Sequence, residues 1–159
     1  MALRQANSRG CFICGLENPA GLRLVFYEEQ PGEVFADVLL EPKYEGFPGM
    51  AHGGVVAAML DEACGRALMG SDPRNPRFMY TARLEIRYRQ PVPLNRRLRL
   101  QGKALQDRGR IATAEAALLN AEGKVLADAK ALLVGVPEEV YRGVDLESVG
   151  WKVYPEEAK

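Results

Sequence analysis

The sequence predicts an α+β fold in which two strands, one long helix and four further strands follow one another along the chain. Three observations predict it. Period-two alternation of apolar residues runs on both sides of a single stretch, Gly53 to about Met69, in which apolar residues occupy nearly every helical face. The later strands are separated by short breaks, which makes adjacent pairs antiparallel. No strand alternates with a helix as a parallel sheet requires, and no internal repeat appears. A chain of 159 residues has the length of one domain, and a single core of that size buries roughly 70% of the surface exposed by the unfolded chain.

Taken in order, residues 1–21 hold Cys11, Cys14, Gly15, Asn18, Pro19 and Gly21, a density of turn formers that predicts a knuckle-like lead-in with little regular structure. Leu22, Leu24 and Phe26 then alternate, the Pro31-Gly32 pair turns the chain, and Val34, Ala36 and Val38 alternate in return, which reads as a hairpin. Pro42, Gly46, Pro48 and Gly49 break the pattern before the helix, whose only charges are Asp61, Glu62 and Arg66. After a polar loop at 70–76, strands are expected at about Met79 to Arg89, Arg97 to Gln106, Ile111 to Leu119 and Val125 to Val134. Residues 1–136 thus form the expected domain. The charged stretch 137–159 reads as an appendage whose Tyr141, Trp151 and Tyr154 are available to dock.

With 21 basic side chains against 21 acidic ones, the chain lacks the basic excess that holds a phosphate backbone by counterion release. No nucleic acid is expected as a partner, a local patch at Arg83, Arg87 and Arg89 aside. The longest charge-free run, 15 residues between Glu45 and Asp61, carries Pro48 and four glycines, whereas a spanning helix needs about 20 apolar residues. No membrane span is expected. Arg4 and Arg9 are followed by no apolar core, so no secretory signal is expected. Three cysteines, an odd number, argue against a disulfide framework and suit a reducing cytoplasm.

Chemistry concentrates at the start and middle of the helix. Phe47-Pro48-Gly49-Met50-Ala51-His52-Gly53-Gly54 leads into it. Orphan N–H groups at a helix start suit an oxygen that gains negative charge, and glycine lets a ligand approach. The same glycines also serve simply to turn the loop into the helix. His52, the one histidine, admits two readings, a general base or a cap that bonds the loop backbone. Asp61 and Glu62 sit among apolar residues, so at least one carboxylate is expected to be enclosed. An enclosed carboxylate is a base or nucleophile candidate; the alternative is a structural acid paired with an arginine from the sheet, the role assigned to Glu62. Cys11-Phe12-Ile13-Cys14 has the spacing of half a zinc site, and only Cys64 and His52 remain to complete four ligands. Structural packing, a metal shared between subunits and redox chemistry stay open for the pair; no metal ligand is assigned.

The motifs together resemble the hotdog-fold thioesterases, specifically acyl-CoA thioesterases of the phenylacetate-degradation type and their thioesterase superfamily relatives. The resemblance is carried by Cys11-Phe12-Ile13-Cys14-Gly15 with Asn18-Pro19-Ala20-Gly21-Leu22, by Phe47-Pro48-Gly49 before His52-Gly53-Gly54, by Leu60-Asp61, and by Thr81-Ala82-Arg83-Leu84 with Tyr88-Arg89-Gln90-Pro91-Val92-Pro93-Leu94. It covers about residues 11–135. It implies a helix wrapped by an antiparallel sheet of about six strands, paired dimers, and hydrolysis of an acyl-CoA thioester without metal or organic cofactor. By position, Gly53 then supplies the N–H that polarises the thioester carbonyl, and His52 shapes that loop. Asp61 is the base or nucleophile, Thr81 orients water or Asp61, and Gly54 and Met50 meet the substrate. The rivals are a non-catalytic acyl-CoA-binding module, disfavoured by the presence of Asp61, and a hydratase or dehydratase, disfavoured by two glycines directly after His52.

Distance adds an expectation about assembly. Gly53 and Asp61 are eight positions apart, about 12 Å along a helix, while an oxyanion donor and a base must each reach their atoms within roughly 3 Å. One helix cannot serve one carbonyl with both. A homodimer with shared sites is therefore expected, Gly53 of one subunit facing Asp61 of the other.

Overall fold

A computed structural model describes residues 1–156. Seven strands form one antiparallel sheet: β1 Leu3–Arg4, β2 Tyr27–Gln30, β3 Glu33–Leu39, β4 Met79–Tyr88, β5 Arg97–Asp107, β6 Ile111–Asn120 and β7 Val125–Gly135. Their order across the sheet is β1-β2-β3-β5-β6-β7-β4. The helix α1, Gly53–Met69, lies between β3 and β4 in sequence and packs against β3, β4, β5, β6 and β7. This is the α+β arrangement expected, a long helix wrapped by an antiparallel sheet.

The alternations put their apolar residues inside. Val34, Ala36 and Val38 of β3, Leu98 and Leu100 of β5, Ala112, Ala114, Ala116 and Leu118 of β6, and Ala127, Ala129, Ala131 and Leu133 of β7 are buried against Val56, Met59, Leu60, Ala63, Cys64 and Ala67 of α1. Small residues on β6 and β7 let the sheet curve closely round the helix. Contact is tightest at Gly102, where a Cβ would fall on the backbone carbonyl of Ala63.

Four expectations are corrected. The lead-in contains a seventh strand: β1 pairs with β2, and the buried Gln5 and Asn7 behind it donate their side-chain amides to Arg66 and Gly70 carbonyls and to Cys14 and Leu24 carbonyls. Two residues are too few to show a period. The hairpin's first strand begins at Tyr27, because Leu22 and Leu24 give their N–H groups to Phe12 and Ile13 rather than to a strand. β4 pairs with β7 instead of its sequence neighbour β5, since α1 and the following loop carry it to the far edge. Finally, neither Asp61 nor Glu62 is buried. The helix has one incompletely covered face made of Gly54, Ala57, Ala58, Asp61, Glu62 and Gly65, whose small residues look apolar in composition.

A single turn of helix, α2 Glu138–Tyr141, opens the C-terminal stretch. Tyr141 and Trp151 set their rings edge-on to Phe78, at centroid distances of 6.1 and 5.3 Å. Lys152 exchanges backbone hydrogen bonds with Asn7. Residues 157–159 of the expected appendage lie outside the described residues. No described helix is long and apolar enough to cross a membrane.

Candidate active site

Two short bridges, Glu45 to Ala51 and Met50 to Pro93, hold the loop before α1, and the His52 N–H bonds the Tyr44 carbonyl at 2.9 Å. His52 is the N-cap of α1 and its Nδ1 accepts from the Gly54 N–H at 2.9 Å. One ring nitrogen is thus committed to the backbone, the cap arrangement among the two readings. Capping consumes the Gly54 N–H. Among the described residues the Gly53 N–H has no acceptor, at the positive end of the helix dipole. The Tyr88 hydroxyl from the end of β4 donates to the Gly53 carbonyl at 2.8 Å and braces that turn. Met50, Gly53, Tyr88 and Gln90 line a cleft of about 270 Å³.

Asp61 lies two turns further along α1, half-buried, and its Oδ1 accepts from the Thr81 hydroxyl at 2.6 Å. Both line a cavity of about 450 Å³ together with Met69, Phe78, Tyr80 and Trp151. The strand is locally irregular here: its pairing with β7 slips between Thr81 and Arg83. Thr81 and Tyr88 are seven positions apart and in a regular strand would face opposite sides. The extra residue of the bulge reverses that parity, so that both reach α1. The sequence reading quoted Tyr88 in a motif but gave it no role; only the bulge reveals one.

Glu62 is paired, as its structural assignment anticipated, but with Arg66 of its own helix at 2.8 Å rather than with an arginine from the sheet. The (i, i+4) spacing brings the two together. Arg66 is 1% exposed, donates to the Ala6 carbonyl at 2.6 Å, and lies between the rings of Phe26 and Trp151 at 5.2 and 5.4 Å. Burial alone would lower its pKa, yet the Glu62 carboxylate and Cys14 hold it above its ordinary value. Sequence reasoning missed this residue, although a lone arginine in an apolar helix was a visible signal.

The cysteines are all free thiols. The Cys14 thiol donates to Cys11, which, with N–H groups of Ile13 and Cys14 each 3.4 Å from its sulfur, pulls the Cys11 pKa down. Donation to Cys11, joined by burial, pushes Cys14 up. Burial pushes Cys64 up to about 12.

The fold therefore joins Asp61 to Thr81 and joins His52, Gly53, Gly54 and Met50, but keeps the two groups in separate cavities. A third concavity, about 640 Å³, holds neither group and is lined by the Lys103–Glu33 and Arg89–Asp128 ion pairs. It carries none of this chemistry.

The family model described as the thioesterase superfamily matches residues 48–127, half of the chain. Among curated proteins, acyl-coenzyme A thioesterase THEM4 of Bos taurus is 40% identical over 85 residues, which are 52% of this chain and 32% of that protein. The match thus spans about a third of the length of that relative. Among solved structures, RHA08564, a thioesterase superfamily protein, is 34% identical with a TM-score of 0.71, covering 79% of this chain and 60% of that one. The structure of smu.793 from Streptococcus mutans UA159 bound to acetyl CoA shares the fold at a TM-score of 0.62 and 19% identity, over 70% of this chain and 86% of that one. A family match that covers half of the chain, and contains Gly53 and Asp61 of the helix and Thr81 of the strand beside it, makes this chain a member of the thioesterase superfamily.

Proposed function

We propose that this chain is an acyl-CoA thioesterase that hydrolyses an acyl-CoA to free acid and CoA, with Asp61 as base and Gly53 as carbonyl donor. The observation that carries it is the Thr81 hydroxyl bonded to Asp61 in the wall of a largely apolar cavity. Thr81 occupies one carboxylate oxygen and leaves the other to accept a proton from water. The water oxygen attacks the thioester carbon as its proton passes to Asp61. Charge gathers on the carbonyl oxygen, where the Gly53 N–H and the helix dipole stabilise it. Collapse expels the CoA thiolate, and Asp61 returns the proton to that sulfur. A relative named as an acyl-coenzyme A thioesterase, and a neighbour in fold that holds acetyl CoA, support the substrate class.

The working unit of this proposal is a homodimer. Eight positions on one helix, about 12 Å along its axis, separate Gly53 from Asp61, and each lines a cavity the other does not reach. A two-fold axis that sets Gly53 of one protomer beside Asp61 of its partner completes two equivalent sites. β4 supports this arrangement: it is an edge strand of 10 residues, and Tyr80 and Tyr88 on it are 51% and 56% exposed. Such an edge invites pairing with a second copy.

The test is release of free thiol from short, long and aromatic acyl-CoA esters by purified protein. Turnover of one class, abolished in Asp61→Asn, is expected. Tight binding without turnover across the whole panel would instead leave an acyl-CoA-binding module.

A further inference from the structure

Cys11, Cys14 and Glu62 take no part in the proposed hydrolysis, yet the fold gathers them across 48 positions of sequence between Cys14 and Glu62. One donor atom from each lies within 4.8 Å of the others. A tetrahedral zinc ion holds sulfur and oxygen ligands roughly 3.3–3.8 Å apart, given bond lengths near 2.0–2.3 Å. The donor atoms must therefore close by at most about 1–1.5 Å. We propose that Cys11, Cys14 and Glu62 form a three-ligand site for a thiophilic divalent cation of the zinc type, which clips the N-terminal segment to α1.

Each ligand is already held in place. The Cys11 sulfur accepts two backbone N–H groups, from Ile13 and Cys14, at 3.4 Å each, an arrangement that suits a sulfur carrying charge. The turn that aims them is so tight that a Cβ on Gly15 would lie 2.5 Å from the Cys11 nitrogen and 2.8 Å from the Arg9 oxygen. Glu62 is fixed through Oε1 by Arg66 at 2.8 Å, which leaves its second oxygen for a metal. Carboxylate ligands oriented by an outer partner are the usual pattern in metal sites. Ser8 Oγ lies 3.7 Å from the Cys14 sulfur, and with the three ligands it lines another part of the cavity that holds Asp61 and Thr81, from which a water takes the fourth position.

Charge favours a cation over a redox dithiol. Two thiolates and one carboxylate would face a single buried guanidinium, whereas a divalent ion brings the cluster to neutrality. A carboxylate has no part in disulfide exchange. To a metal it is a third donor. Two sulfurs and one oxygen suit a borderline-soft ion such as zinc. Each thiol that binds gives up its proton to solvent, and no electron is transferred.

The experiment uses the full chain, purified under reductant, stripped with a chelator and titrated with zinc chloride. One ion per chain is expected, with a rise in Tm, and cobalt(II) in place of zinc should give a thiolate-to-metal charge-transfer band. Cys11→Ser with Cys14→Ser should lose uptake, Glu62→Gln should bind at least tenfold more weakly, and Cys64→Ser should bind as the parent does. Should the double variant fail to fold, the parent titration and Glu62→Gln decide alone. No uptake by the reduced parent overturns the proposal, whether the thiols then titrate as free or close to a disulfide on exposure to air. So do one ion per two chains and undiminished binding by Glu62→Gln. Metal content is read independently of turnover.

Discussion

Asp61 and Thr81 divide the work of a single carboxylate. The hydroxyl 2.6 Å away fixes one oxygen, and the proposed chemistry uses the other. Asp61→Asn retains the acceptor that Thr81 needs, so the chain should fold while turnover drops by about two orders of magnitude or more, the scale for a positioned general base. Near-normal turnover in that variant, with Glu62→Gln inactive instead, would move the role next door. Thr81 acts through Asp61. Thr81→Val should lower kcat with KM little changed, and Thr81→Ser should restore most of it; equal loss in both variants would mean the residue matters only for the strand. Cys11→Ser with Cys14→Ser should leave thioester hydrolysis largely intact, because the sulfurs, though in the same cavity, bond Ser8 and backbone N–H groups and not the Asp61–Thr81 pair, although Tm should fall. Thiol-release assays and thermal melts of the same preparations separate these outcomes. His52 shows where single residues become legible: a ring before two glycines at a helix start is a cap by local rules alone, and its Nδ1 does cap Gly54.

The helix and the sheet meet through backbone as much as through side chains. At Gly102 of β5 the Ala63 carbonyl occupies the space of a Cβ, so Gly102→Ala should force α1 outward and destabilise the fold by about 1–3 kcal/mol or more. Denaturant titration measures it, and an unchanged midpoint would show that the helix yields freely. Element by element, β3 to β7 and α1 are readable because each is long enough to repeat its period, whereas β2, at four residues, is displaced from the alternation at Leu22, Leu24 and Phe26. β1 has two residues and no period, and β4 reaches its partner β7 by a path that local pattern does not encode. The site divides in the same way. Asp61 and Gly53 stand out by residue type, whereas the shared facing of Thr81 and Tyr88 depends on a bulge that simple alternation reads backwards. Arg66 was hidden differently: its partner Glu62 is local, but the rings that enclose it come from Phe26 and Trp151, far along the chain.

Assembly is the scale at which the two half-sites become one. Gly53→Pro removes the N–H, and the preceding His52, at φ −61° and ψ 135°, already has the extended backbone that a following proline demands. Mixed with Asp61→Asn chains, Gly53→Pro chains should regain one working site per heterodimer, while a chain with both changes should silence both sites of a wild-type partner. A dead mixture, together with a half-active partner of the doubly changed chain, would show that each protomer works alone. Trp151 is the only tryptophan in the chain, and it stands in the wall of the cavity beside Asp61. The molecule therefore carries its own optical reporter. Indole emission reads one position, so an acyl group arriving in the turnover-dead Asp61→Asn chain should register as a spectral change without a label, and affinity across acyl classes becomes measurable at equilibrium, free of catalysis.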